Sequence, residues 1–141
     1  MVVGLFCAMA KLKVLVIKNN QVLQDGIYLL NGSTTIGRSE SCNIQIDLPG
    51  VSRCHCTIVR LSSEESRKKE YSILDGCFIE RRLKKSTNGI LLNGDSVISA
   101  YLKNGDVITL IDKQSGNKSE LAQCTFLLED RDTDNAAHTL C

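Results

Sequence analysis

The sequence predicts an all-β fold, a β-sandwich of two twisted, largely antiparallel sheets with about ten or eleven strands. Three observations carry that expectation. Between residues 11 and 129, runs of β-favouring residues alternate with Asn, Gly, Asp or Pro turn signals. No long helical period interrupts them. The one proline, Pro49, sits in a turn, where it removes no ladder hydrogen bond.

In order, the expected strands are 11–17, 27–30, 34–37, 44–47, 54–61, 70–74, 90–92, 106–111 and 123–129. The turns between them include Asp25-Gly26, Asn31-Gly32, Pro49-Gly50, Asp75-Gly76, Asn88-Gly89, Asn93-Gly94 and Asn104-Gly105. Glycine and asparagine tolerate the positive φ of tight β turns, so this punctuation has a backbone cause. Two stretches break the rhythm. Residues 62–69 are polar and charged and read as an exposed hairpin loop. Residues 76–85, GCFIERRLKK, read either as an extra strand with a basic end or as an enlarged loop.

A chain of 141 residues, 43% hydrophobic and 23% charged, has the composition of one ordinary globular domain. We divide it into an extension at 1–10, a domain at 11–129 carrying a loop insertion at 76–85, and a polar tail at 130–141 expected to be disordered. A net charge of +1 excludes the strongly basic balance of a protein that wraps nucleic acid. Between 60 and 85 there are eight Lys or Arg against five Asp or Glu, so positive charge is concentrated there. An odd cysteine count of seven, in apolar contexts, suits reduced core thiols better than a disulfide framework and points to an intracellular setting. The apolar start lacks the basic flank of a signal peptide, and no run reaches the length of a membrane-spanning helix.

The informative residues form an ordered constellation: Ile36-Gly37-Arg38, Ser52-Arg53-Cys54-His55, Ser86-Thr87-Asn88-Gly89, Asn93-Gly94, and the run LKNGDVI at 102–108. Arg38, Ser52, Arg53, Thr87 and Asn88 fall at strand ends or in turns, where a rigid β scaffold presents polar groups. A dianionic phosphate needs such donors: a guanidinium offers a fork of N–H groups, and hydroxyls rotate to complete a cage. Each charge-assisted hydrogen bond contributes about 1.5 to 3 kcal/mol, so two or three can dominate the affinity of a short peptide.

In this order the constellation resembles the forkhead-associated (FHA) domain, a phosphothreonine-binding β-sandwich, over about residues 11–129. The resemblance implies that Arg38 contacts phosphate, Ser52 donates its hydroxyl, Arg53 and Thr87 add contacts, and Asn88 holds the ligand backbone. Gly37, His55, Gly89, Asn93 and Gly94 would support the site, with Gly37 shaping the loop that carries Arg38 and His55 bracing the binding loops. It implies no cofactor, no metal and no catalysis. The partner would be a phosphothreonine-containing protein or peptide, with no direct nucleic-acid or membrane contact, and the oligomeric state stays open. Segments 44–57 and 102–113 further resemble mitotic-chromosome members of the family, which implies a nuclear, cell-cycle setting.

One departure matters. The family runs almost directly from a strand ending in Asp-Leu into Ser-Thr-Asn-Gly, whereas here ten residues separate Leu74-Asp75 from Ser86. The insertion could supply basic contacts from Arg81, Arg82, Lys84 and Lys85 to an acidic or multiply phosphorylated ligand, or merely lengthen a hairpin.

Rival readings find less support. As adjacent residues of the expected strand 54–61, Cys54 and His55 would point to opposite faces and would not pair as nucleophile and base. The cysteines show no Cys-x-x-Cys spacing for zinc, and Gly-Arg-Ser is not a phosphate-binding P-loop. The remaining alternative is an FHA-like scaffold that binds partners through a phosphate-independent surface.

Overall fold

Period-two alternation of buried and exposed residues organises the chain into two facing sheets. The computed structural model describes residues 9–63, 66–113 and 119–129. Within them lie thirteen strands: β1 (Met9–Lys18), β2 (Gln21–Leu30), β3 (Thr34–Gly37), β4 (Ile44–Gln45), β5 (Cys56–Ser63), β6 (Ser66–Asp75), β7 (Cys77–Ile79), β8 (Arg82–Lys84), β9 (Ile90–Leu92), β10 (Asp95–Val97), β11 (Ser99–Leu102), β12 (Val107–Asp112) and β13 (Ser119–Glu129).

A six-stranded sheet has the order β10-β9-β12-β13-β1-β2, and a five-stranded sheet the order β11-β6-β5-β3-β4. All pairings are antiparallel except β3 with β4, which run parallel through Ile36 and Ile44. Alternate residues of the first sheet, including Leu12, Val14, Ile108, Leu110, Cys124 and Phe126, are buried, as are Ile36, Ile58, Tyr71 and Ile73 of the second. The rings of Tyr71 and Phe126, one from each sheet, meet at 5.4 Å in a tilted contact that closes the sandwich core.

The sandwich agrees with expectation, and the differences have local causes. Asp25-Gly26 is not a turn: both residues pair within β2, opposite Leu15 and Val14. The chain reverses instead at Asn19-Asn20, where φ is 54° and 62°. A two-residue turn with positive φ at both positions matches the strand twist, and asparagine tolerates it. The stretch 62–69 is largely strand rather than loop, since β5 and β6 stay paired as far as Ser63 and Ser66. The expected loop insertion at 76–85 is a β-hairpin, β7 with β8, forming its own two-stranded sheet. Its turn, Glu80-Arg81, takes positive φ of 52° and 68° without the usual Gly or Asn, so no residue there signals a turn. β10 and β11 likewise escaped the reading, and β1 starts at Met9, inside the expected extension. The start of that extension and the tail at 130–141 lie outside the described residues.

The thiol expectation needs correction. Cys54 and Cys77 are disulfide-bonded, with Cα atoms 5.9 Å apart, because the inserted hairpin folds back beside the loop that precedes β5. Cys56 and Cys124 are buried free thiols of the core. Burial pushes the Cys124 thiol up to about 12 and the Cys56 thiol well above its ordinary value, so both act as small apolar side chains.

Phe126 is fully buried at the junction of the sheets. Phe126→Ala is expected to lower stability by about 3 to 5 kcal/mol, read as a lowered urea midpoint with the fold retained.

Candidate functional site

Three loops, following β3, preceding β5 and following β8, are laced together by backbone and side-chain hydrogen bonds. The lacing begins at Gly37. A Cβ there would stand 2.2 Å from the Arg53 carbonyl oxygen, so only glycine lets the two loops approach this closely. With that space open, Arg38 N–H donates to Ser52 O at 2.9 Å and Ser39 N–H donates to Arg53 O at 3.0 Å. Arg38 is exposed, and its Nε–H donates to Val51 O at 3.0 Å. That bond aims the side chain while its terminal guanidinium N–H groups remain for an anion.

Ser52 is fixed from both ends. Its N–H donates to His55 Nδ1 at 3.0 Å, and its Oγ accepts the Thr87 N–H at 2.9 Å. With the oxygen already accepting, the hydroxyl hydrogen is available to an outside acceptor.

His55 is fully buried. Because Nδ1 accepts from Ser52, the proton is assigned to Nε2, which donates to Gly89 O at 2.8 Å. Burial lowers the pKa of this imidazole, partly offset by the Gly89 carbonyl and the negative Asp75. Both ring nitrogens of His55 are thus spent on backbone groups, which leaves neither free to serve as a base for Cys42 or the disulfide-bonded Cys54.

The loop after β8 has its own brace, which the sequence reading missed. Buried Asp75 accepts from Ser86 Oγ at 2.5 Å and Ser86 N at 3.3 Å, and Ser86 Oγ accepts Gly89 N–H at 2.8 Å. No local signal links Asp75 to Ser86, since the inserted hairpin lies between them. Asn88 is also buried; its Nδ2 donates to Gly50 O at 2.9 Å, and its Oδ1 accepts the Lys113 N–H at 3.4 Å. It therefore ties two of the loops together and keeps a second amide N–H. Arg53 is exposed, and its carbonyl accepts from Cys42 Sγ at 3.1 Å.

Asn93 and Gly94 stand apart from these loops. They form the two-residue turn between β9 and β10, with φ of 51° and 90°. The Asn93 side chain accepts Val107 N–H at 2.9 Å and donates to Asp106 at 3.0 Å.

Two grooves open on this surface. One, of about 690 Å³, is lined by Arg38, Ser52, Arg53 and Thr87 together with residues of the inserted hairpin. The other, of about 470 Å³, runs past Asp47, Pro49, Gly50, Val51 and Asn88. Arg38, Ser52 and Thr87 line both. Arg38, Ser52, Arg53, Thr87 and Asn88 are thus brought together around these grooves, whereas the Asn93-Gly94 turn and the 102–108 run bonded to it stand apart, and the edge shared by both grooves holds a guanidinium and two hydroxyls with no carboxylate among its described residues.

The fold and site now define a class. The family model described as FHA domain matches residues 34–111, and the chain belongs to that family. It is 34% identical over 102 residues to the probable serine/threonine-protein kinase fhkA of Dictyostelium discoideum. That match covers 68% of this chain and only 16% of the kinase. Among solved structures, it is similar to the Slr1951 protein from Synechocystis sp., with 28% identity and a TM-score of 0.62 over 87% of this chain and 99% of that one. It also shares its fold with a MEK1 FHA domain in complex with a HOP1 phosphothreonine peptide, at 20% identity and a TM-score of 0.56, over 84% and 97% of the two chains.

The His55 bracket makes the fold sensitive to acid. The imidazole is neutral in the folded chain and its pKa lies below the ordinary 6.5, so the unfolded chain takes up the proton first. Stability contributed by neutral His55 is present above pH 6.5 and is lost as pH falls through that value toward the folded pKa. Urea midpoints measured from about pH 7.5 down to about pH 5 are expected to decline. Most of this decline above the carboxylate range should be absent in His55→Ala.

Proposed function

We propose that this domain binds phosphothreonine in partner proteins, with the phosphate seated by Arg38, Ser52 and Thr87. The observation that carries the reading is the convergence of these three residues on the edge common to two grooves, on loops already braced by His55, Asp75 and Asn88. A phosphate carries a charge of about −1.5 to −2 and three acceptor oxygens. The terminal N–H groups of Arg38 and the hydroxyls of Ser52 and Thr87 supply donors, and preformed loops reduce the entropy lost on binding. Arg53 adds positive charge at the groove wall. Asn88, with one amide N–H bonded to Gly50, has a second to offer the ligand backbone. Selectivity for threonine over serine would rest on its methyl group, for which burial contributes on the order of 0.8 kcal/mol.

The domain would act as a non-catalytic recruiting module in intracellular signalling. We place its setting in the nucleus and cell cycle on the resemblance of segments 44–57 and 102–113 alone; a tagged chain should then accumulate in nuclei, and exclusion from them would refute that setting. The Cys54–Cys77 disulfide removes two cysteines from the reduced thiols that favoured an intracellular location.

Titration with phosphothreonine peptides should give micromolar binding, roughly −8 kcal/mol, that weakens with salt. Arg38→Ala should reduce it by about tenfold or more. Phosphoserine and unphosphorylated twins should bind more weakly than the phosphothreonine form. Binding that ignores phosphorylation would instead favour a phosphate-independent scaffold.

A further inference from the structure

The inserted hairpin, absent from the ordinary spacing of the motifs, forms one side of the larger groove. Phe78, Ile79, Lys84 and Lys85 line that groove together with Arg53, and among the described residues no Asp or Glu lines it. Arg81 and Arg82, the other basic residues of the insertion, line neither groove. The second groove lacks this excess of positive charge. Among the described residues its lining holds no cation apart from the shared Arg38, and it includes the carboxylate of Asp47. The proposed phosphate seat therefore lies at a boundary between a strongly cationic groove and one whose lining sets Asp47 against Arg38.

The hairpin is also apolar where it is exposed. Phe78 is 66% and Ile79 48% exposed, beside the two lysines. A lone two-stranded hairpin is marginal in water, yet this one is tied at its base. Gly76 N–H donates to His55 O at 2.8 Å, and Cys77 is bonded to Cys54. A Cβ on Gly76 would stand 2.1 Å from Lys84 O, so the base of the hairpin closes tightly on itself. Asp75 and Ser86 clamp the two chain ends on either side of it. The wall is thus attached to the same His55 that brackets Ser52 and Gly89.

We propose that the ligand is a phosphothreonine peptide of polar asymmetry. The flank lying along the inserted hairpin carries acidic side chains, met by Lys84, Lys85 and Arg53, and a large apolar side chain set against Phe78 and Ile79. The flank passing Asp47 is free of acidic residues. A single phosphate does not balance the four cations lining the larger groove, and no carboxylate among the described lining residues does so either. This inference rests on the phosphothreonine reading and adds the chemistry of the residues around the phosphate.

The test uses the full chain and synthetic phosphothreonine peptides that are neutral on both flanks, doubly acidic on the N-terminal flank, or doubly acidic on the C-terminal flank, each with an unphosphorylated twin. Wild type is expected to prefer one acidic peptide over the neutral one by about fivefold or more at low salt, as two extra screened ion pairs would give, and not to prefer the other. In K84Q/K85Q that ratio should fall to within about twofold of unity. In a separate series, Phe78→Ser should erase the gain from placing a leucine on the same flank of the neutral peptide. Equal affinity for all three phosphopeptides, or an acidic preference that survives K84Q/K85Q, overturns the inference while leaving phosphothreonine binding intact. If phosphorylation itself makes no difference to binding, the underlying reading fails and this one falls with it.

Discussion

The interaction on which the site depends is the His55 imidazole held between two backbone groups. Nδ1 receives the Ser52 N–H and Nε2 reaches the Gly89 carbonyl, 34 residues further along the chain. One buried ring thus fixes the relative positions of the loop bearing Ser52 and the loop bearing Thr87. The geometry works only for the neutral ring, since a proton on Nδ1 would oppose the Ser52 N–H. Burial, which lowers the pKa, therefore supports the hydrogen-bond pattern rather than conflicting with it. The exposed donors, Arg38 and Thr87, owe their placement to the buried polar groups His55, Asp75 and Asn88.

Much of the fold was legible because its signals are local. Alternating apolar residues in 11–17 and 123–129 predicted strands that the structure pairs directly, Leu12 with Phe126 and Val14 with Cys124. Errors arose where a local signal had two readings. Asp25-Gly26 looks like a turn dipeptide, yet tertiary pairing with β1 holds it extended in β2. The reverse failure occurred at Glu80-Arg81, whose residues give no turn signal but are driven into positive φ by the pairing of Phe78 with Leu83. The Cys54–Cys77 link was invisible for a related reason: it depends on where the insertion folds, which sequence spacing does not specify.

The candidate site divides in the same way. Arg38, Ser52, Thr87 and Asn88 stood out as polar residues at loop positions in a recognisable order, and the structure brings them together. Asp75 did not stand out, because a carboxylate at a strand end ordinarily means a turn. Its role follows from Ser86, reached only after the chain has traversed the hairpin. The insertion itself was read as basic, which is correct, but its four cations are not equivalent. Lys84 and Lys85 face the groove lined by Arg38, whereas Arg81 and Arg82 line neither groove. Position along the hairpin accompanies that difference, with Arg81 in the turn and Arg82 next to it while Lys84 and Lys85 lie at the base beside Cys77, and net charge alone does not reveal it.

The most direct test of the central claim is to record backbone amide NMR spectra of the ¹⁵N-labelled chain during titration with a phosphothreonine peptide and with its unphosphorylated twin. The account predicts that the phosphorylated peptide shifts the amides of Arg38, Ser39, Ser52, Arg53, Thr87 and Asn88, while its twin leaves them in place. Shifts located elsewhere on the sandwich, or equal shifts with both peptides, would contradict it.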